Sequence, residues 1–262
     1  RRRLVNLRNF PTFRAVSFLV LFFLYVPLLH VVVYSFNSSR IATIWEGFST
    51  KWYVTTLHNT DIQRALKNSL QVGAVATVAS TVLAVLAALG MVRMGKIGSA
   101  VSWALIGAPL IIAEIVLAVG TLAFFMAVHI PLGKVGMMIA HTAFCIPFAL
   151  LPIRARLSQL EAAPFEAAAD LGANQTQILR RITLPLLSPA IISGALLAFA
   201  ISIDDFITSY FIAGPGSTTL PVYIFGMIRS TVTPEVDAIS TLLLLFSGIV
   251  LIGSYVLQRR RR

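Results

Sequence analysis

The chain has 262 residues, of which 57% are hydrophobic and only 12% charged, whereas a soluble globular domain carries about 25% charged residues. This composition excludes an ordinary water-soluble enzyme and makes lipid the solvent of much of the surface. The formal net charge of +11 suggests nucleic acid at first sight, but where the basic residues fall excludes that reading.

Crossing a hydrocarbon core of roughly 30 Å takes about 20 apolar residues rising 1.5 Å each. Such runs occur near 15–36, 68–92, 99–128, 135–153, 186–213 and 238–257. None alternates with period two, so six transmembrane helices are predicted rather than barrel strands. They form one all-α, polytopic domain over 1–262, with no convincing internal repeat. The first run (Val16–Phe36) is too long for the apolar region of a signal peptide, and Asn37-Ser38-Ser39 is not a small-residue cleavage site. The outer loop 37–67 follows. Its Trp45-Glu46-Gly47-Phe48 and Lys51-Trp52-Tyr53 are aromatic belt material for a membrane interface.

The second span leaves the membrane through Gly90–Lys96, which satisfies the first seven positions of a phosphate-binding loop. Ile97 stands where Ser or Thr would hold Mg²⁺, and the segment follows a membrane helix rather than a buried strand. No nucleotide site is expected in this chain. Glu114 interrupts the third span, which ends at a turn around Pro131-Leu132-Gly133. The fourth span carries His141 and the single cysteine, Cys145. No Cys or His partner stands at zinc-site spacing, so no metal site is expected. Cys145 reads as a packed thiol, and His30 and His141 as hydrogen-bonded residues at helix contacts. No catalytic residue is assigned.

The inner loop 154–185 is mostly helix-forming. A short helix over Glu166–Leu171 is expected to end at Gly172 in a left-handed C′ position. Asn174 and Gln177 have the spacing of a capping box that opens the next helix, Gln175 to about Arg181. Structured loops of this length are uncommon between bundle helices, which marks a docking surface. The remaining outer loop, 214–237, opens on Gly214-Pro215-Gly216.

Asp204 and Asp205 interrupt the fifth span. A charge at a helix centre costs at least about 2.5–3.5 kcal/mol, so such residues face a cavity or a partner. Glu114 lies 15 residues beyond Ser99, and Asp204 lies 15 beyond Pro189. On straight helices both acids would be about 22 Å deep, so the two spans could present carboxylates to one cation. Alternatively these acids bond to helix ends or to a homologous partner subunit. Asp204 and Asp205 would also diverge by about 100° on one helix. Phe206 and Tyr210 could cover a methylene stem or meet an ammonium through a cation–π contact; plain packing is the other reading.

If the helices alternate, 15 Lys and Arg (1–3, 8, 14, 93, 96, 154, 156, 180, 181 and 259–262) share one side. Six (40, 51, 64, 67, 134 and 229) fall on the other. By the positive-inside rule both termini are cytoplasmic.

The spacing Glu166-Ala167-Ala168, three residues, Gly172, nine residues, Ile182, one residue, Leu184-Pro185 resembles the EAA motif of binding-protein-dependent ABC importer permeases. The triplet alone carries nothing, as a second copy at Glu161-Ala162-Ala163 shows; the spaced pattern between the fourth and fifth spans does. Further segments look like the spermidine/putrescine permeases, favouring the smaller, second permease of the pair. They are Ser35-Phe36-Asn37-Ser38-Ser39-Arg40, Trp45–Phe48, Thr50–Tyr53, Ser202–Asp205, Gly214–Gly216 with Thr219-Leu220-Pro221, and Pro234-Glu235-Val236. Ala113-Glu114 departs from the Pro-Asp of putrescine-type relatives and leaves the preferred substrate length open.

The resemblance implies a type I importer permease of the bacterial cytoplasmic (inner) membrane that is not itself an enzyme. It implies a homologous second permease, two ATPase subunits that bind the ATP and Mg, and a periplasmic substrate-binding protein. This chain would hold no cofactor. Glu166, Ala167, Ala168, Gly172, Ile182, Leu184 and Pro185 would couple to the ATPase, while Glu114, Asp204, Asp205, Phe206 and Tyr210 would line the substrate path. Rival cargoes are ferric iron, a cationic amino acid or another amine. A rival class is an intramembrane aspartyl enzyme, which adjacent carboxylates on one helix suit poorly, because a dyad shares a proton across a gap.

Overall fold

The computed structural model describes the backbone of residues 11–41, 44–230 and 233–259, with side chains from 15 to 249. The basic residues at 1–3, 8 and 260–262 lie outside it. The chain divides into two compact units, Arg1–Asn59 with Met227–Leu245 and Thr60–Gly226 with Phe246–Arg262.

In the first unit, α1 (Pro11–Tyr34) is the first apolar span. The segment after it folds back on a single antiparallel bridge, Asn37 to Phe48. Asn37 is buried and organises this segment. Its amide donates to the Ile44 carbonyl at 2.7 Å, and its Oδ1 accepts from the Ser39 and Glu46 N–H groups at 3.1 Å each. Trp52, on the short α2 (Lys51–His58), donates its indole N–H to the Asn37 carbonyl at 2.9 Å. Phe36 stacks on Phe48, while Trp45 and Phe48 stay exposed, as aromatic residues of a membrane interface do.

The second unit is built on three mutually packed helices: α3 (Thr60–Arg93), α6 (Lys134–Leu157) and α9 (Leu184–Asp204). Apolar helices gain little by hiding from lipid tails, so close backbone approach must hold them together. The sequence supplies it. Ala76, Ser80, Ala84 and Ala88 make a four-residue-spaced small stripe on α3, all buried. Ala84 and Ala88 pack with Cys145, Ala149, Leu150, Ile153 and Ala198. Gly194 on α9 approaches so closely that a Cβ there would stand 2.5 Å from the Ala149 carbonyl oxygen. Cys145 is thus a packed core thiol, free and buried.

At 34 residues, α3 is about 50 Å long and exceeds the hydrocarbon thickness. Near its start, the Asn68 amide donates to the Gly216 and Thr218 carbonyls at 3.0 Å each, and the Ser69 hydroxyl accepts from the Leu220 N–H. At its other end, Arg93 donates to Gln175 at 3.3 Å. The Leu220–Ser230 and Pro234–Arg259 helices follow, as α11 and α12, and α12 covers the sixth expected span.

Two spans differ from the expectation of continuous helices. The third consists of α4 (Lys96–Gly107), a 3₁₀ turn over Ala108–Leu110, and α5 (Glu114–Ala127), bent by 103°. Gly107-Ala108-Pro109 explains the end of α4: Pro109 has no N–H to continue the ladder, and its ring crowds the preceding turn. The fifth span ends as α9 at Asp204. Asp205 is extended (φ −65°, ψ 118°), and helix resumes only as α10 (Ile207–Ile212).

The inner loop carries α7 (Ala163–Asp170), longer at its start than the predicted Glu166–Leu171. The following helix does not stop near Arg181. α8 (Gln175–Ile178) runs through a π-turn at Leu179–Thr183 into α9. Pro185 cannot donate to the carbonyl four residues back, and a one-residue shift of register absorbs the missing bond.

Candidate functional site

Two regions bring the sequence-predicted residues together. The first is the inner loop. Gly172 has φ +78°, a conformation open to glycine and strained for other residues. Its N–H donates to the Ala169 carbonyl at 2.9 Å, and the Ala173 N–H donates to Ala168 at 3.0 Å. This 5→2 and 6→1 pair is a Schellman closure of α7. Two residues on, the Asn174 side chain accepts from the Gln177 N–H and the Gln177 side chain accepts from the Asn174 N–H, both at 2.9 Å. The capping box expected from the spacing is therefore formed.

Glu166 stands exposed in the first turn of α7, with Ala167 exposed and Ala168 half-buried. Ile182 sits in the π-turn and shares a small cavity with Leu171, Gly172, Ala173, Gln177 and Arg181. Leu184 and Pro185 open α9. The result is a short, sharply closed helix with Leu171 fully presented at 88% exposure.

The second region is where the third and fifth spans break. A cavity of about 500 Å³ is lined by Glu114, Asp204 and Asp205 together with Leu110, Leu117, Phe144, Phe148 and Thr208. The depth argument from straight helices does not hold, because the third span bends just before Glu114. The acids converge on one cavity nonetheless. Glu114 is the first residue of α5, where the positive end of the helix favours a carboxylate, and its carboxyl meets that of Asp205.

Asp204 is the last residue of α9, so its carboxylate adds to the negative end of that helix. Such a locus attracts a cation. The adjacent carboxylates do diverge, but through the helix break rather than helical rotation. Asp204 is exposed, whereas Asp205 is buried at 6% exposure.

Asp205 accepts hydrogen bonds from the Thr208 and Ser209 N–H groups at 3.3 and 2.9 Å, and its Oδ2 lies 3.2 Å from His141 Nε2. This fits the expectation that an acid here bonds to a helix end, and His141 is a hydrogen-bonded residue between helices.

Phe206 and Tyr210 do not line this cavity. They form an aromatic cluster with Phe225 on α11, the ring centroids of Phe206 and Phe225 lying 4.6 Å apart. The rings that wall the cavity are Phe144 and Phe148, one helical turn apart on α6. Sequence reasoning missed both, although their i, i+4 spacing beside His141 was a signal that one helix face carries rings and a polar group.

The profile of a protein family described as "Binding-protein-dependent transport system inner membrane component" matches residues 4–262. The putrescine transport system permease protein PotI of Escherichia coli (strain K12) is 39% identical over 248 residues, covering 92% of this chain and 88% of that protein. The spermidine/putrescine transport system permease protein PotC of the same strain is 35% identical over 237 residues, 90% of each chain. PotC of Haemophilus influenzae is 36% identical, covering 94% and 96%.

Among solved structures, a chain of a bacterial alginate ABC transporter in complex with its alginate-pentasaccharide-bound periplasmic protein matches at TM-score 0.74. It is 16% identical, with 95% and 93% of the chains covered. A chain of the inward-facing MetNI methionine ABC transporter matches at TM-score 0.63 and 18% identity, covering 75% and 94%. These likenesses give the fold: the all-α, polytopic fold of type I importer permeases.

Proposed function

Because the chain belongs to the binding-protein-dependent transport system inner membrane component family, we propose that it is one permease half of an ATP-driven polyamine importer. The observation that carries the cargo assignment is the cavity at the two helix breaks. Two exposed carboxylates, Glu114 and Asp204, share it with the rings of Phe144 and Phe148. Carboxylates attract ammonium groups, while aromatic faces accept either an ammonium or the methylenes between two of them.

In this reading both termini are cytoplasmic, and the chain pairs with a homologous second permease in the bacterial inner membrane. Two ATPase subunits bind the ATP and Mg, and a loaded periplasmic binding protein docks on the outer loops. The ATPase grips α7 through Glu166, Ala167 and Ala168. Gly172 keeps the knob short, and the continuous run from α8 through the π-turn into α9 carries its displacement to the acids at the far end of α9. Alternating access follows: closure of the ATPases opens the acid cavity outward, and hydrolysis returns it inward.

The test is uptake of putrescine and spermidine by the reconstituted complex at matched membrane levels. Glu114→Gln and Asp204→Asn keep the side-chain shape but leave a cation facing a neutral, partly dehydrated site, which is costly. Uptake is expected to fall by about tenfold or more, the equivalent of one lost charge-assisted bond. Parental uptake of both amines by both variants overturns the cargo assignment.

A further inference from the structure

We propose that His141 is a positioning residue that staples the break in the fifth span through Asp205, so that the three acids divide their work. Asp205 holds the break, and Glu114 with Asp204 meets the cargo. The division rests on the cation-path reading above; the staple itself does not.

The geometry is a side chain of α6 gripping both sides of an interruption. His141 Nδ1 lies 2.8 Å from Ser202 Oγ on the last turn of α9. Nε2 lies 3.1 Å from Ser209 Oγ on α10 and 3.2 Å from Asp205 Oδ2 at the break. His141, Ser202, Asp205 and Ser209 are all buried. An ionised carboxylate only accepts, so in the neutral ring Nε2–H donates toward Asp205 and Nδ1 accepts from the Ser202 hydroxyl, a tautomer assigned from the network.

Asp205 thereby has the Thr208 and Ser209 N–H groups and the imidazole directed at its two oxygens, and the Glu114 carboxyl meets it as well. These N–H groups belong to the first turn of α10, which has no intrahelical acceptors for them. A cation reaching Asp205 would have to displace bonds that hold the chain in place. Asp204 takes no part in this network and is exposed, and so is Glu114. Asp204 is free to exchange water for an ammonium, and Glu114, though it meets Asp205, stays exposed to the cavity, while Asp205 is already committed.

The experiment compares KM and Vmax for putrescine uptake by the full complex in proteoliposomes. Asp204→Asn and Glu114→Gln are expected to raise KM by about tenfold. Asp205→Asn and His141→Gln are expected to lower Vmax at least about fivefold with KM within about twofold, since they disturb the break rather than the cavity surface. The His141→Gln/Asp205→Asn double variant should be no worse than either single, whereas His141→Gln with Asp204→Asn should multiply, as unconnected sites do.

If His141→Gln fails to insert, Ser202→Ala removes only the Nδ1 partner and is expected to lower Vmax by a smaller factor at unchanged KM. An Asp205→Asn variant that raises KM as Asp204→Asn does, multiplying effects of His141 and Asp205, or parental kinetics in Ser202→Ala overturns the proposal.

A complex that moves no polyamine at all defeats the cargo reading instead, and the staple is then read without transport. ¹⁵N NMR of the histidine-labelled complex in nanodiscs, with His141 assigned by difference, should show its ring nitrogens shifting in Asp205→Asn but not in Asp204→Asn. No shift in Asp205→Asn overturns the staple.

Discussion

The chain interrupts helix at Leu171–Asn174 in the inner loop and at Asp205–Phe206 in the fifth span, and it secures the two interruptions by opposite means. In the loop, every closing bond joins residues three to five apart, and most of the groups are exposed. In the span, the bonds from His141 reach across 61 to 68 residues of sequence, and all the groups are buried. A turn closed by its own neighbours keeps its shape wherever the loop travels, so it can act as a moving part. A break closed by another helix exists only while α6 stays packed beside α9. It therefore belongs to a frame that keeps its shape while it is displaced as one body.

That contrast is most exposed by Asp205→Ala, which leaves the Thr208 and Ser209 N–H groups facing no acceptor in the interior and His141 Nε2 with the Ser209 hydroxyl alone. Each buried donor left without a partner costs about 1–3 kcal/mol, so thermal melting of the purified complex should shift down by several degrees. Asp204→Ala should leave the melt where it is. Equal shifts would dissolve the distinction between a framing acid and a cavity acid.

Gly172→Val comes next. A Cβ at Gly172 meets nothing within 4 Å, so the effect is backbone strain alone, about 1–2 kcal/mol. It should act locally, abolishing stimulation of ATPase activity by the loaded binding protein with the melting temperature nearly kept. A collapse in expression would show that the loop is part of the frame after all.

The smallest effect is expected from Asn174→Ala. Loss of an N-cap costs about 1 kcal/mol, which should speed hydrogen exchange at the Gln177 N–H by roughly fivefold while uptake continues. Unchanged exchange there would mean that the box adds nothing to the turn.

The same contrast explains what was legible in the sequence. Gly172 and the Asn174/Gln177 pair announced their geometry because caps are decided by residues a few positions apart. The six spans were legible because lipid demands long apolar runs. The bend of the third span was hidden inside such a run: Leu110-Ile111-Ile112-Ala113 is as apolar as helix, and only Gly107 and Pro109 marked the stop. Ala113, at φ −59°, already holds the angle of a proline, so a proline would fit the same corner.

The convergence of Glu114 with Asp204 was legible as a possibility, though through a straight-helix depth that the bend invalidates. The brace of Asp205 was not legible, because nothing near residue 205 in the sequence names a histidine on another helix as its partner. Phe144 and Phe148 looked like any apolar residues until the cavity showed which face they occupy. The small stripe on α3 was written in plain four-residue spacing but indistinguishable from an Ala-rich span until its neighbours were known.

The length of α3 has a mechanical consequence. One end is tied to the backbone at Gly216, Thr218 and Leu220, and the other to Gln175 at the head of α8. A stiff rod with both ends fastened cannot take up slack between them. Whatever displaces the α8 end by tilting or sliding α3 must therefore reposition the 216–220 segment in the same stroke. The two faces of the membrane are geared together by one helix, with no relay of side chains in between.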